Sequence, residues 1–194
     1  ACVTPHIWLS RVDNLRRPDL MLLDLDPAGE PDPEMLRRAG RQVRDLLSGE
    51  LGLPAYLQTT GSKGFHVAVP LTAEEDFDEV RDFAAGAAQL LAERNPDELT
   101  VETRKDKRKG RIFVDYLRNS YAQTFAAPYS VRARPGAPIA TPIEWDELGD
   151  VEPRKYNIRN IFRRLGHKTD PWAEMWKHAV SLDDARDKLT EIGS

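Results

Sequence analysis

The stretch that most constrains this chain is LMLLDLDP, residues 20–27, an apolar run that ends in two carboxylates. Side chains alternate along a strand, so Asp24 and Asp26 share one face and sit side by side. A strand this apolar reads as central and buried, where like charges repel and an unpartnered carboxylate is costly. A helix cap or a pair of salt bridges at the strand end would offset that cost. So would a divalent cation, which takes oxygen ligands.

A third acid favours the cation. Asp115 lies in IFVDY, again an apolar strand ending in a carboxylate. Two such strands side by side would bring three carboxylates together, enough for one or two magnesium or manganese ions and for phosphoryl transfer.

TTGSKGFH, residues 59–66, reads as a small-residue turn that leads into a strand carrying His66. Its glycines let backbone N–H groups approach a phosphate, its hydroxyls at Thr60 and Ser62 can donate, and Lys63 adds a point charge. The spacing is not that of a Walker loop, and no helix follows. A plain hairpin turn is the bland alternative, as a satisfied core or surface histidine is for His66 and for His6 in TPHIWL.

RKDKRKGR, residues 104–111, reads as a solvated basic loop or, just ahead of the Asp115 strand, as a surface for a polyanion. Arg118, Arg132 and Arg134 follow in YLRN and YSVRAR, and arginine's planar fork suits phosphate oxygens.

The totals set bounds. A chain of 194 residues, 40% hydrophobic and 31% charged, holds one domain with a real core, and no apolar run is long enough to span a bilayer. It reads as soluble and intracellular. The one cysteine, Cys2, excludes an internal disulfide framework and reads as a small buried apolar residue. The net charge of −4 argues against a globally basic nucleic-acid binder, but charge is segregated along the chain. Residues 71–99 hold nine acids against two bases, and residues 101–119 hold seven bases against three acids. Residues 150–168 are again mostly basic.

The coarse pattern predicts strands at 2–9, 20–26, 55–59, 65–71, 99–103 and 111–117. Asp32-Pro33 opens a helix that Gly49 and Gly52 close, and Thr72 with Glu75 forms a capping box for a second helix. The strands at 55–59 and 65–71 form one hairpin, and those at 99–103 and 111–117 form another. The Pro-rich stretch 128–142 reads as ordered connection, followed by short helices near 157–165, 171–178 and 182–191. Trp172 and Trp176, four apart, would share a helix face and pack on the sheet. The expected fold is α+β, an antiparallel-rich sheet with helices on one face. Residues 1–150 form the core and 151–194 a helical C-terminal extension packed on it.

HIWLSR, RPDLMLLDLDP, TTGSKGFHV, GRIFVDYLRN, AAPYSVRARPGAPIATPIEWDEL and DPWAEM, in this order, resemble the polymerase domain of bacterial non-homologous end-joining ligase D. This domain belongs to the archaeo-eukaryotic primase superfamily, and the resemblance implies a primase-like, RRM-like fold. By resemblance, Asp24, Asp26 and Asp115 match the catalytic metal-binding carboxylates, with Mn2+ or Mg2+ as cofactor. Thr60, Ser62, Lys63 and His66 match the triphosphate-binding turn, Arg118 and Arg132 hold the incoming nucleotide, and His6 lies near its sugar. Arg104, Lys105, Lys107, Arg108 and Lys109 are the candidate DNA contacts.

The implied activity is nucleotidyl transfer, readily with ribonucleotides, at DNA ends and short gaps during double-strand-break repair. The implied partners are DNA with a 5′-phosphate, NTP or dNTP, a ligase and Ku-type end-joining proteins, with no membrane, in the bacterial cytoplasm at the nucleoid. Members normally carry an accessory α/β module ahead of the stretch matching HIWLSR, and it holds much of the 5′-phosphate pocket. The resemblance, which begins near the start of this sequence, carries the expectation that the module is lacking here. Thr60 stands where a serine is usual, which keeps the hydroxyl.

Two rival functions are readable. A haloacid-dehalogenase-type phosphatase also opens on apolar residues before D-x-D, but it needs a hydroxyl residue where Ala28 stands and a later GDxxxD, which is missing. A primase fold that binds DNA ends or nucleotide without turnover is the other.

Overall fold

A computed structural model describes residues 4–30 and 32–193, and Cys2 lies outside them. The LMLLDLDP stretch forms β2 (Leu20–Pro27), and it is central. Its neighbours are β4 (Phe65–Pro70) on one side and β6 (Ile112–Asp115) on the other, both antiparallel to it. The full sheet runs β5-β6-β2-β4-β3-β8, completed by β3 (Tyr56–Thr59), β5 (Leu99–Thr100) and β8 (Thr141–Ile143). Two helices, α1 (Pro33–Arg44) and α2 (Phe77–Arg94), cover one face. The fold is α+β, an antiparallel-rich sheet with helices on one face, as expected.

Alternation along the strands decides what each face becomes. Met21, Leu23 and Leu25 of β2, Phe65, Val67 and Val69 of β4 and Ile112 and Val114 of β6 point into one core with both helices. On the opposite face Leu20, Leu22 and Ala68 meet Phe77, Phe125, Trp172 and Met175 in a smaller second cluster. That cluster stops at Leu22, and the next residues on the same face are Asp24 and Asp26.

Asp32 caps α1 as expected, its carboxylate accepting from the backbone N–H of Glu34 and Met35, with Pro33 at the first helical position. The helix widens into a π-helical turn over Asp45–Glu50. Gly52 then takes positive φ, +74°.

The second cap lies four residues beyond the predicted one. Asp76 and Glu79 form the capping box of α2. Glu75 is buried instead and accepts from the Leu182 N–H at 2.6 Å. Thr72 is drawn off too, its N–H donating to the Val180 carbonyl at 3.1 Å.

The second predicted hairpin is a parallel pair. β5 holds two residues and runs alongside β6, so the basic loop between them is a crossover and not a hairpin turn. Of the strand predicted at 2–9, residues 2 and 3 lie outside the described ones, and the described part holds β1 (His6–Ile7), which pairs with β7 (Phe125–Ala126) as a separate two-stranded ribbon.

Asn119 explains how β2 is satisfied where β6 has ended. Its side-chain amide accepts from the Leu22 N–H at 2.8 Å and donates to the Leu22 carbonyl at 2.7 Å, standing in for a strand's backbone.

The C-terminal residues add α3 (Ile161–Leu165) and α4 (Asp183–Ile192). Leu182 and Ala185 join the main core. The buried Arg164 guanidinium pairs with Glu147 at 2.6 Å. Trp172 is buried and donates from its indole N–H to the Leu57 carbonyl at 3.2 Å, whereas Trp176 is exposed. The two do not share a helix face because the segment is a turn followed by a 3-10 stretch over Met175–His178. Among the described residues no helix is long and apolar enough to cross a membrane.

Candidate active site

The sheet register assembles the site. Asp24 on β2 stands opposite Asp115 on β6 and opposite His66 on β4, and His66 in turn stands opposite Gln58 on β3. One row of polar side chains therefore crosses four strands on the face that the second cluster leaves open.

Burial and like charge set the chemistry of that row. Asp24 is pushed up to about 7 by burial, helped by the neighbouring Asp115 and Asp26 carboxylates and opposed by Arg118. Asp115 is raised mainly by burial, which Arg118 and the Leu117 N–H oppose. His66 is pushed down to about 3, first by burial and then by Arg132 and Arg118, so it is neutral near pH 7. Arg118 lies between the two carboxylates, its Nε 3.4 Å from Asp115 Oδ2 and 3.7 Å from Asp24 Oδ2. That Nε is buried and makes no hydrogen bond among the described residues.

The three expected carboxylates lie close enough for Asp26 to help raise both Asp24 and Asp115, but they are not equally placed. Asp24 and Asp115 are direct neighbours, while Asp26 pairs with Arg108 at 3.0 Å. Among the described residues no group of three His, Cys, Asp or Glu side chains is arranged to hold a metal ion. The donor chemistry still fits a hard divalent cation, since the row offers carboxylate oxygens that repel one another. Asp24 and Asp115 would hold it, and Asp26 would join only by giving up Arg108.

Arg108 leaves the group of candidate DNA contacts. It is 3% exposed, and its guanidinium donates to the carbonyls of Glu102 and Thr103 and to the Asp26 carboxylate, stacked 4.5 Å over the Phe113 ring. The other four candidates, Arg104, Lys105, Lys107 and Lys109, are exposed, with Arg104 paired to Asp106 at 2.9 Å. Lys105 reaches the rim of the cleft.

That cleft has a volume of about 260 Å³ and is lined by Asp24, Asp26, Thr60, Ser62, Lys63, His66, Lys105, Arg118, Arg132 and Arg134, with exposed His6 at its edge. The nucleotide candidates are thus brought to one place. The His6 Nδ1 lies 3.4 Å from the Thr124 hydroxyl.

The Thr60 hydroxyl is already used inside the turn, accepting from the N–H groups of Ser62 and Gly64 and donating to the Gly64 carbonyl at 2.9 Å. Arg132 braces the same turn by donating to the Thr60 carbonyl at 3.0 Å, and Arg154 does so by donating to the Ser62 carbonyl at 2.8 Å. Gly64 is required there, because a Cβ would lie 1.7 Å from the Leu25 carbonyl oxygen. Lys63 pairs with the exposed Glu30 at 3.1 Å.

A family model described as LigD, primase-polymerase domain, matches residues 1–172. This chain belongs to the LigD primase-polymerase domain family. It is 42% identical to the multifunctional non-homologous end joining protein LigD of Pseudomonas aeruginosa over 173 residues, 87% of this chain and 20% of that protein. The LigD of Mycolicibacterium smegmatis is 34% identical over 90% of this chain and 22% of its own length. The bifunctional LigD of Bacillus subtilis is 27% identical over 84% of this chain and 27% of its own. Each relative is several times the length this chain spans.

Among solved structures, the polymerase domain from Mycobacterium tuberculosis ligase D in complex with DNA superposes with a TM-score of 0.76 at 32% identity, over 84% of this chain and 56% of that one. The LigD polymerase fold and the carboxylate row therefore occur together in this chain.

Proposed function

We propose that this chain is a primase-type polymerase that adds nucleotides, ribonucleotides readily, to DNA ends and short gaps in end joining. One observation carries the reading: Asp24, which stands opposite Asp115, lines a cleft with Asp26 and His66 that also holds Lys63, Arg118 and Arg132. A triphosphate needs cations and donors, and this cleft supplies three fixed positive charges and a braced glycine turn within reach of the carboxylates.

In this reading Lys63 and Arg132 hold the triphosphate, and Arg118 neutralises charge between substrate and carboxylates. Manganese or magnesium, held by Asp24 and Asp115, would activate a primer 3′-hydroxyl and stabilise departing pyrophosphate. The exposed Arg104, Lys105, Lys107 and Lys109 would face the DNA backbone, as befits a relative of a domain solved with DNA. A ligase and Ku-type proteins are the partners that end joining would bring.

One observation favours the second reading, binding without turnover: Asp26 is engaged by Arg108 and not by the other two carboxylates. Primer extension on a gapped duplex with a 5′-phosphate separates the two. Incorporation that requires the divalent ion and is abolished in Asp24→Ala supports the polymerase. Nucleotide and DNA binding with no incorporation under either metal overturns it in favour of the binding module.

A further inference from the structure

Gln58 has no place in the roles assigned above, yet it is fully buried beside the site. Its Nε2 lies 3.2 Å from the Ala126 carbonyl oxygen and 3.3 Å from His66 Nδ1. A carbonyl can only accept, so Ala126 fixes which end of the amide faces it; a flipped amide would press two oxygens together.

With the amide fixed, its second N–H meets His66 Nδ1 and requires a lone pair there. A neutral imidazole has one donor nitrogen and one acceptor nitrogen. Nδ1 as acceptor leaves the proton on Nε2. That nitrogen faces Asp24, 3.8 Å from Oδ1, where β4 borders the cleft. The Phe125 ring stands edge-on to the imidazole, centroids 5.5 Å apart at 80°, and hinders a ring flip that would exchange the two nitrogens.

We propose that Gln58 is a positioning residue that locks His66 in the Nε2–H tautomer, so that the cleft meets a neutral hydrogen-bond donor at this point. Such a donor serves an oxygen that only accepts, such as a phosphate oxygen of a nucleoside triphosphate. The identity of that oxygen rests on the polymerase reading, whereas the tautomer does not.

Long-range proton–nitrogen correlation spectra of the full chain at pH 7.5 test it, with the His66 signals assigned by their loss in His66→Gln. The expected pattern is a protonated Nε2 and a bare Nδ1. Gln58→Glu keeps the size but turns the neighbour into an acceptor, and should move the proton to Nδ1. Gln58→Leu removes the neighbour's N–H and should shift the Nδ1 signal toward the protonated position. An Nδ1–H tautomer in the wild type overturns the proposal, as does an unchanged pattern in Gln58→Glu.

Affinity for ATP, measured on the same samples, should fall about tenfold in Gln58→Glu, the scale of one hydrogen bond to a charged group. Unaltered affinity with the proton moved to Nδ1 overturns the positioning role. The spectra need no substrate, so a chain that adds no nucleotide to DNA would sink the polymerase reading and leave the tautomer standing.

Discussion

Alternate residues of β2 face opposite ways and meet different surroundings. Met21, Leu23 and Leu25 look into a closed core beneath α1 and α2. On the other face Leu20 and Leu22 are covered by Phe77, Phe125, Trp172 and Met175, but the cover ends before Asp24. One face secures the strand by burial. The other uses that security to hold two carboxylates where repulsion and desolvation work against them. The site is where the second core stops.

Substitutions on the two faces should therefore move stability in opposite directions. The largest effect falls on chemistry: Asp24→Asn or Asp115→Asn should lower metal-dependent incorporation by ~10²–10³-fold or more, read by primer extension. On the covered face, Leu23→Ala should cost ~2–5 kcal/mol in urea unfolding, because a fully buried side chain leaves a cavity. Asp24→Asn should instead stabilise the protein, by ~2–4 kcal/mol at pH 8, since it removes a carboxylate that folding holds near 7. If both substitutions destabilised alike, the contrast between faces would fail.

The pH dependence sharpens the same contrast. Asp24 is raised from 3.8 to about 7, so its contribution is present below the lower value and is lost as pH rises through the higher one. His66 is lowered from 6.5 to about 3, so its contribution is present above the first value and is lost as pH falls through the second. The two slopes oppose one another between about pH 4 and 6.5. Denaturant unfolding should thus show stability rising across that window in Asp24→Asn and falling across it in His66→Gln. The smallest effect belongs to the exposed Lys63–Glu30 pair, where Glu30→Gln should leave the unfolding midpoint in urea unchanged, because solvent screens an exposed pair.

Much of this was legible in the chain because the signals are local. Asp32-Pro33 states a helix start, the 55–71 hairpin states its own turn, and alternation in LMLLDLDP puts two acids on one face. The parallel β5–β6 pair and β8 were not legible, because strands of two and three residues are defined by partners distant in sequence. Pro142 also disguises β8, although an edge strand tolerates it.

Arg108 carries no mark that separates it from its basic neighbours. It is buried because the register places Phe113 opposite Asp26, which makes one spot where a guanidinium can both stack and pair. Gln58 had a readable signal, since pairing the two strands of its hairpin sets it opposite His66. Asn119 lies in the recognisable DYLRN motif, but its service to Leu22 depends on where β6 ends.

The central proposal is that Asp24 and Asp115 bind a divalent cation. Thermal unfolding of the wild type and Asp24→Asn at pH 7.5, with and without manganese at about a hundredfold excess over its dissociation constant, tests this most directly. The wild type should gain roughly 5–10 °C, the shift that binding to the native state alone provides in a domain of this size. Asp24→Asn should start higher and gain little. An equal rise in both proteins, or none in the wild type, would contradict it.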